Sequence, residues 1–156
     1  MVEKLEVLKK ATEYWVKAGV LPKANKELLQ KLASLCTLKT YEAGAIIAKE
    51  GKKANDLYLI AEGTVSIIVG LGKTYERQIQ TASKFELVGW SSVVPPYSYK
   101  CSVRVEKKLT ALVFDGKALR DLSSKDPVLG CVVYQWIISA LSQRLHNAFL
   151  QLTDVT

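Results

Sequence analysis

The chain has 156 residues, 49% hydrophobic and 24% charged, which suits one domain with a sizeable core and excludes a second large one. Its net charge of +7 comes from 22 Lys and Arg spread along the sequence, only four of them Arg, so direct nucleic-acid binding is not expected. No apolar run reaches the roughly 18 to 20 residues that cross a bilayer, and Met1-Val-Glu-Lys-Leu-Glu6 lacks the apolar stretch of a signal peptide, so a cytoplasmic protein that does not enter a membrane is the expectation.

Residues 3–18 carry Leu5, Leu8, Tyr14 and Trp15 among Lys and Glu, a weakly amphipathic helix stopped by Gly19 and Pro22. Residues 1–24 are therefore expected to form a helical extension outside the main domain, which spans 25–156. Asn25 is placed to cap a second helix whose Leu28, Leu29, Leu32 and Leu35 make one apolar face. Cys36, Cys101 and Cys131 are odd in number, far apart and flanked by apolar residues, which predicts buried, reduced thiols. With His146 as the single histidine, a structural zinc site is not expected.

From Leu38 to Phe114 the apolar period falls toward two, and glycines at 44, 51, 63, 70, 72 and 89 separate runs rich in Val, Ile and Thr. Several short antiparallel strands follow, the last over Leu109–Phe114. Gly70-Leu-Gly72-Lys73-Thr74 resembles the end of a phosphate-binding P-loop, but the glycine required five residues before Gly72 is Ile67, so the stretch reads as a hairpin turn. After Asp115-Gly116 the chain turns helical, with a break predicted at Ser123-Ser124 and a long helix from Pro127. In that helix Tyr134, Ile138, Leu141, Leu145, Ala148 and Leu152 repeat at four and three, the spacing of a two-helix seam. Leu129, Val133, Trp136, Ile137 and Ala140 form a second stripe over its first half. One stripe is expected on the barrel and the other in a homodimer.

The stretch from Tyr41-Glu-Ala-Gly44 through Gly51 to Leu57-Tyr58-Leu59-Ile60-Ala-Glu-Gly63, with Phe85-Glu86-Leu87-Val88-Gly89-Trp90-Ser91-Ser92 and Pro95-Pro96-Tyr97-Ser98-Tyr99-Lys100-Cys101, resembles the cyclic-nucleotide-binding domain family, the catabolite activator protein-like sensor domain. The resemblance runs from about Asn25 to about Leu152. It implies a mainly β fold with flanking helices: a double-stranded β-helix, or jelly-roll barrel, with N-terminal helices and a long C-terminal dimerisation helix. It also implies a regulatory module that is not an enzyme, with cAMP or cGMP as ligand and no other cofactor.

In the family a phosphate-binding cassette presents helix N-terminal amides to the cyclic phosphate, a glutamate to the ribose and an arginine to the charge. Carried over by position, Glu86 takes the ribose role and Leu87 and Val88 follow it. Gly89, Trp90, Tyr99, Lys100 and Cys101 complete the expected ligand-binding set. The match is degenerate: Phe85 stands where a glycine is expected, Tyr99 stands where the arginine is, and Lys100 offers a point charge without a fork. The positions on the long helix that contribute hydroxyls in the family hold Ala148 and Phe149. Three functions follow: a sensor of a cyclic nucleotide or related metabolite, a ligand-free dimerising interaction module, and a transcription regulator lacking its DNA-binding domain.

Overall fold

The computed structural model describes residues 2–153; the outer limits of the two expected segments, residue 1 and residues 154–156, lie outside the described residues. Leu8 and Ala11 share one face of helix α1 (Val2–Lys17) and are fully buried. The helix gives way at Gly19, whose φ of +78° suits a residue without Cβ. Helix α2 (Lys26–Ser34) begins as its sequence predicts: the Asn25 side chain accepts a 2.8 Å hydrogen bond from the Leu28 amide.

Six strands follow: β1 (Cys36–Tyr41), β2 (Ile46–Ala48), β3 (Asp56–Leu71), β4 (Tyr75–Ala82), β5 (Leu87–Val88) and β6 (Ser102–Asp115). All pair antiparallel, in the order β1-β6-β3-β4, with β2 added to β6 and β5 to β3. The long β3 and β6 lie side by side over most of their length, from Asp56 opposite Asp115 to Ile68 opposite Ser102. Their register slips between Ile60 and Val65, which bends the pair so that each strand serves both halves of a jelly-roll barrel. At that bend Gly63 has φ +102°, and its missing Cβ would lie 2.9 Å from the Lys107 carbonyl oxygen, so a larger residue is excluded. The 70–74 stretch is the hairpin turn its sequence predicts, joining Leu71 to Tyr75 across β3 and β4.

The period of two sorts β3 into two cores. Tyr58 and Ile60 point into the barrel, where they meet Val65, Val88, Tyr99 and Val105. Leu57 and Leu59 point to the helices, where they meet Leu8, Leu32, Leu112, Leu119 and Trp136. Each fully buried aliphatic side chain contributes about 1.5–3 kcal/mol relative to exposure.

Two expectations need correction. Helix α3 (Gly116–Lys125) continues through Ser123-Ser124, and the break falls at Asp126. The proline at 127 bars its predecessor from the helical region, so Asp126 is extended at φ −122°, ψ 92° and caps the next helix by accepting from the Leu129 amide at 3.2 Å. Buried Ser123 occupies the space beneath Gly130, whose Cβ would come 2.7 Å from the Ser123 carbonyl oxygen. The cysteines also differ from one another: Cys36 is buried, Cys101 half-buried and Cys131 exposed. Burial pushes the Cys36 thiol up to about 11.

Helix α4 (Pro127–Thr153) has two unlike stripes. Leu129, Val133, Trp136 and Ile137 are buried in the helix-side core, with Ala140 packed at its edge. Tyr134, Ile138, Leu141, Leu145 and Leu152 are exposed, Ile138 at 63% and Leu152 at 72%, while Ala148 is half-buried. Against the expectation that no segment is apolar enough to cross a bilayer, α4, alone among the described residues, is long and apolar enough by length and composition, with 33% of its most apolar window buried.

Candidate functional site

Strand β5 divides the expected ligand-binding residues between two opposite surfaces. Val88, Tyr99 and Cys101 face the barrel interior, whereas Leu87 and Trp90 pack against the helix-side core. Between them Gly89 turns the chain at φ +84° into the single 3-10 turn Trp90–Ser92. A Cβ at Gly89 would lie 2.7 Å from the Asp56 carbonyl oxygen and 3.2 Å from the Tyr58 ring, which explains the glycine. Phe85 also adopts a left-handed backbone, φ +68°, so the conformation expected of a glycine persists with an aromatic residue in it. Its ring is held by Tyr14 at 5.6 Å and by the Lys84 ammonium at 5.2 Å, and its carbonyl accepts a 2.7 Å bond from Trp15 Nε1.

On the barrel side the polar groups are closed on the protein itself. The Tyr99 hydroxyl donates to the Asp56 carbonyl at 2.8 Å, and the Tyr58 hydroxyl donates to the Ile47 carbonyl at 2.9 Å. Burial raises the pKa of both phenols, keeping them neutral. Lys100 is exposed and is not among the residues packed in this core. Arg120 of α3 steadies the cassette from outside, its guanidinium 3.9 Å over the Tyr97 ring and bonded to the Ser92 carbonyl.

Glu86 looks the other way, toward α4. Its Oε2 accepts from the Ser83 amide at 2.7 Å, and its Oε1 lies 3.8 Å from Nη2 of Arg144. The Arg144 side chain is only 13% exposed, and Nη1 donates to Gln80 Oε1 at 3.1 Å and to the Thr81 carbonyl at 2.8 Å. Burial lowers its pKa, while Glu86 and then Cys101 act in the opposite direction. Arg144 thus ties the cassette and β4 to the long helix.

A cavity of about 110 Å³ opens at this junction. The cassette walls it with Glu86 and Leu87, α1 with Trp15, and α4 with Trp136, Ala140 and Arg144. The buried indole Nε1 of Trp136 has no hydrogen-bond partner. Of the eight expected ligand-binding residues, the structure brings Glu86 and Leu87 to this cavity, sets Val88, Tyr99 and Cys101 together inside the barrel, and leaves Lys100 apart from both. Arg144, Trp15 and Trp136 escape the sequence-based set. The one available signal was that Arg144 is the sole Lys, Arg, Asp or Glu in the 27 residues of α4. Among the described residues no group of three or more His, Cys, Asp or Glu is placed to hold a metal.

A jelly-roll barrel with a cassette between β5 and β6 and a long helix crossing it is a sensor-type regulatory fold. The chain belongs to the cyclic nucleotide-binding domain family, whose model matches residues 38–126. It is similar to a protein of Geobacter metallireducens assigned to the cyclic nucleotide-binding proteins, at 28% identity and a TM-score of 0.71, over 80% of this chain and 89% of that one. It is also similar to a cyclic nucleotide-binding domain from Methylobacillus flagellatus, at 19% identity and a TM-score of 0.80, over 99% of this chain and 83% of the other. The catabolite activator protein of Thermus thermophilus shares the fold at 22% identity and a TM-score of 0.67, over 83% of this chain and 59% of its own. No curated protein matches the chain.

Proposed function

We propose that the protein is a cytoplasmic ligand-sensing module of the cyclic-nucleotide-binding type, which reads a small ligand between cassette and long helix and signals through α4, paired with a second copy. One observation carries the reading: a single cavity is walled by the cassette on one side and by α4 on the other. A guest there contacts the output helix directly, so it can favour one helix position over another by differential contact. The exposed stripe Ile138, Leu141, Leu145 and Leu152 supports pairing, because an apolar row of this length normally finds a partner. The role is regulatory and not catalytic.

For cAMP or cGMP the barrel side would offer Gly89, Tyr99 and Cys101, with Lys100 as an outlying charge and no guanidinium fork. Loss of one charge-assisted pair, worth roughly 1.5–3 kcal/mol, weakens affinity by about one to two decades. The proposal is tested by melting and sedimentation of the chain at rising cAMP and cGMP. A raised melting temperature supports a nucleotide ligand; unchanged melting at millimolar nucleotide removes cyclic nucleotides as ligands, and a monomer at all concentrations removes signalling by pairing. A second reading, a ligand-free dimerising interaction module, is favoured by the bonded Tyr58 and Tyr99 that fill the barrel. It predicts a dimer indifferent to every small molecule.

A further inference from the structure

The cavity between the cassette and α4 has a chemistry that specifies its guest. Its volume of about 110 Å³ is well below the roughly 300–1,000 Å³ of drug-sized sites, and because the cavity opens to the surface it takes up an aliphatic side chain with the polar head group at its mouth. A whole nucleotide is too large for it. Trp15, Trp136, Leu87 and Ala140 make most of the wall apolar.

The polar atoms are few and opposed in character. Glu86 Oε1 and Arg144 Nη2 face each other at 3.8 Å, too far for a hydrogen bond, in a setting where the guanidinium is largely withdrawn from water. The remaining atoms of both groups are already engaged, Oε2 with Ser83 and Nη1 with Gln80 and Thr81. The indole N–H of Trp136 is buried without a partner and has no accessible surface of its own, so Trp136 meets the cavity with the apolar part of its ring. The lining therefore offers one anionic acceptor, Glu86, one cationic donor, Arg144, and the neutral polar side chains of Ser139 and Gln143 around a mostly apolar wall.

We infer that the cavity is a binding site for a free apolar α-amino acid of about leucine's size. Such a molecule carries an ammonium and a carboxylate on one carbon, which suits two opposite protein charges 3.8 Å apart. The ammonium donates to Glu86 Oε1, the carboxylate accepts from Arg144 Nη2, and the aliphatic side chain lies against Trp15, Leu87 and Trp136. A simple carboxylic acid leaves Glu86 facing an anion, and a simple amine leaves Arg144 facing a cation; each loses one pairing and gains a like-charge contact. The inference rests on the reading of this cavity as the sensor's ligand site, and names the ligand class.

The test is isothermal titration calorimetry of the full chain, with tryptophan fluorescence as a second readout, using L-leucine, 4-methylpentanoate (the same skeleton without the ammonium) and isoamylamine (without the carboxylate). L-leucine is expected to bind saturably and to change the emission of Trp15 and Trp136, with each analogue at least tenfold weaker. E86Q is expected to weaken leucine about tenfold and spare 4-methylpentanoate. A140L is expected to abolish binding while the melting transition is retained, so that loss of fold is not mistaken for loss of the site. Absence of saturable leucine binding overturns the inference, as does equal affinity for 4-methylpentanoate or undiminished binding to A140L. If leucine fails while cAMP raises the melting temperature, the ligand class is wrong and the protein is still a sensor, but its ligand enters on the barrel side of the cassette. If leucine binds but amide exchange along α4 and the sedimentation coefficient are unmoved, the ligand class stands and the sensor reading fails.

Discussion

The inside of the barrel and the crevice beneath α4 lie on opposite faces of the same two-residue strand, and they treat polar groups in opposite ways. In the barrel the hydroxyls of Tyr58 and Tyr99 are bonded to backbone carbonyls at 2.9 and 2.8 Å, and Gly89 leaves no room for a Cβ. In the crevice a carboxylate and a guanidinium form an ion pair 3.8 Å apart, too long for a hydrogen bond, beside open volume. The tyrosine hydroxyls that fill the barrel are bonded and leave no open volume, whereas the crevice sets an opposite-charge pair beside open volume.

The largest expected effect comes from forcing the barrel to hold the charge that its family relationship suggests. Tyr99→Arg places an unpaired guanidinium at a site that is 8% exposed and removes the bonds to Asp56, so urea unfolding should show a loss of about 3–5 kcal/mol. A Y99R chain of unchanged stability would mean that the barrel has wet, unfilled space, and the contrast would fail. A paired substitution gives a middle-sized effect. Ala111→Leu, at a fully buried barrel position, should cost about 1–3 kcal/mol by overpacking, whereas Ala140→Leu, at the crevice wall, should stay within about 0.5 kcal/mol of the parent. Equal losses in thermal melts would erase the difference.

The smallest effect concerns the joint that seats α4. Lys31 Nζ lies 2.7 Å from Asp126 Oδ2, and this bond, together with the Leu129 amide, holds the Asp126 carboxyl below its ordinary range. Because the folded-state pKa is the depressed one, the stabilisation is fully present above the ordinary value of about 3.9 and is lost as pH falls through the lower folded value. Acid titration of stability should therefore be shallower in Asp126→Asn than in the parent. Parallel acid limbs would remove the ion pair from the account.

Much of the fold was legible because it depends on local chemistry. Asn25 caps α2, Gly72 marks the hairpin, and the four-and-three spacing separates the buried stripe of α4 from the exposed one. The break before α4 was misplaced because serines weaken a helix only slightly, whereas the restriction that a proline puts on its predecessor is steric. The site was less legible. Reading Phe85–Cys101 as one cassette gives no hint that β5 sends Leu87 to the helices and Val88 into the barrel, since that division depends on pairing with Tyr58 and Leu59. Arg144 and Trp15 reach Glu86 and Phe85 from opposite ends of the chain, and no local pattern encodes such meetings.

Amide and indole chemical-shift mapping during titration with L-leucine decides whether a small ligand enters beneath α4 or within the barrel. Saturating shifts are expected at the Trp15 and Trp136 indoles and along Ser139–Arg144, with Tyr58, Val103 and Val105 unmoved. Shifts confined to those barrel residues, or none anywhere, would contradict entry beneath α4.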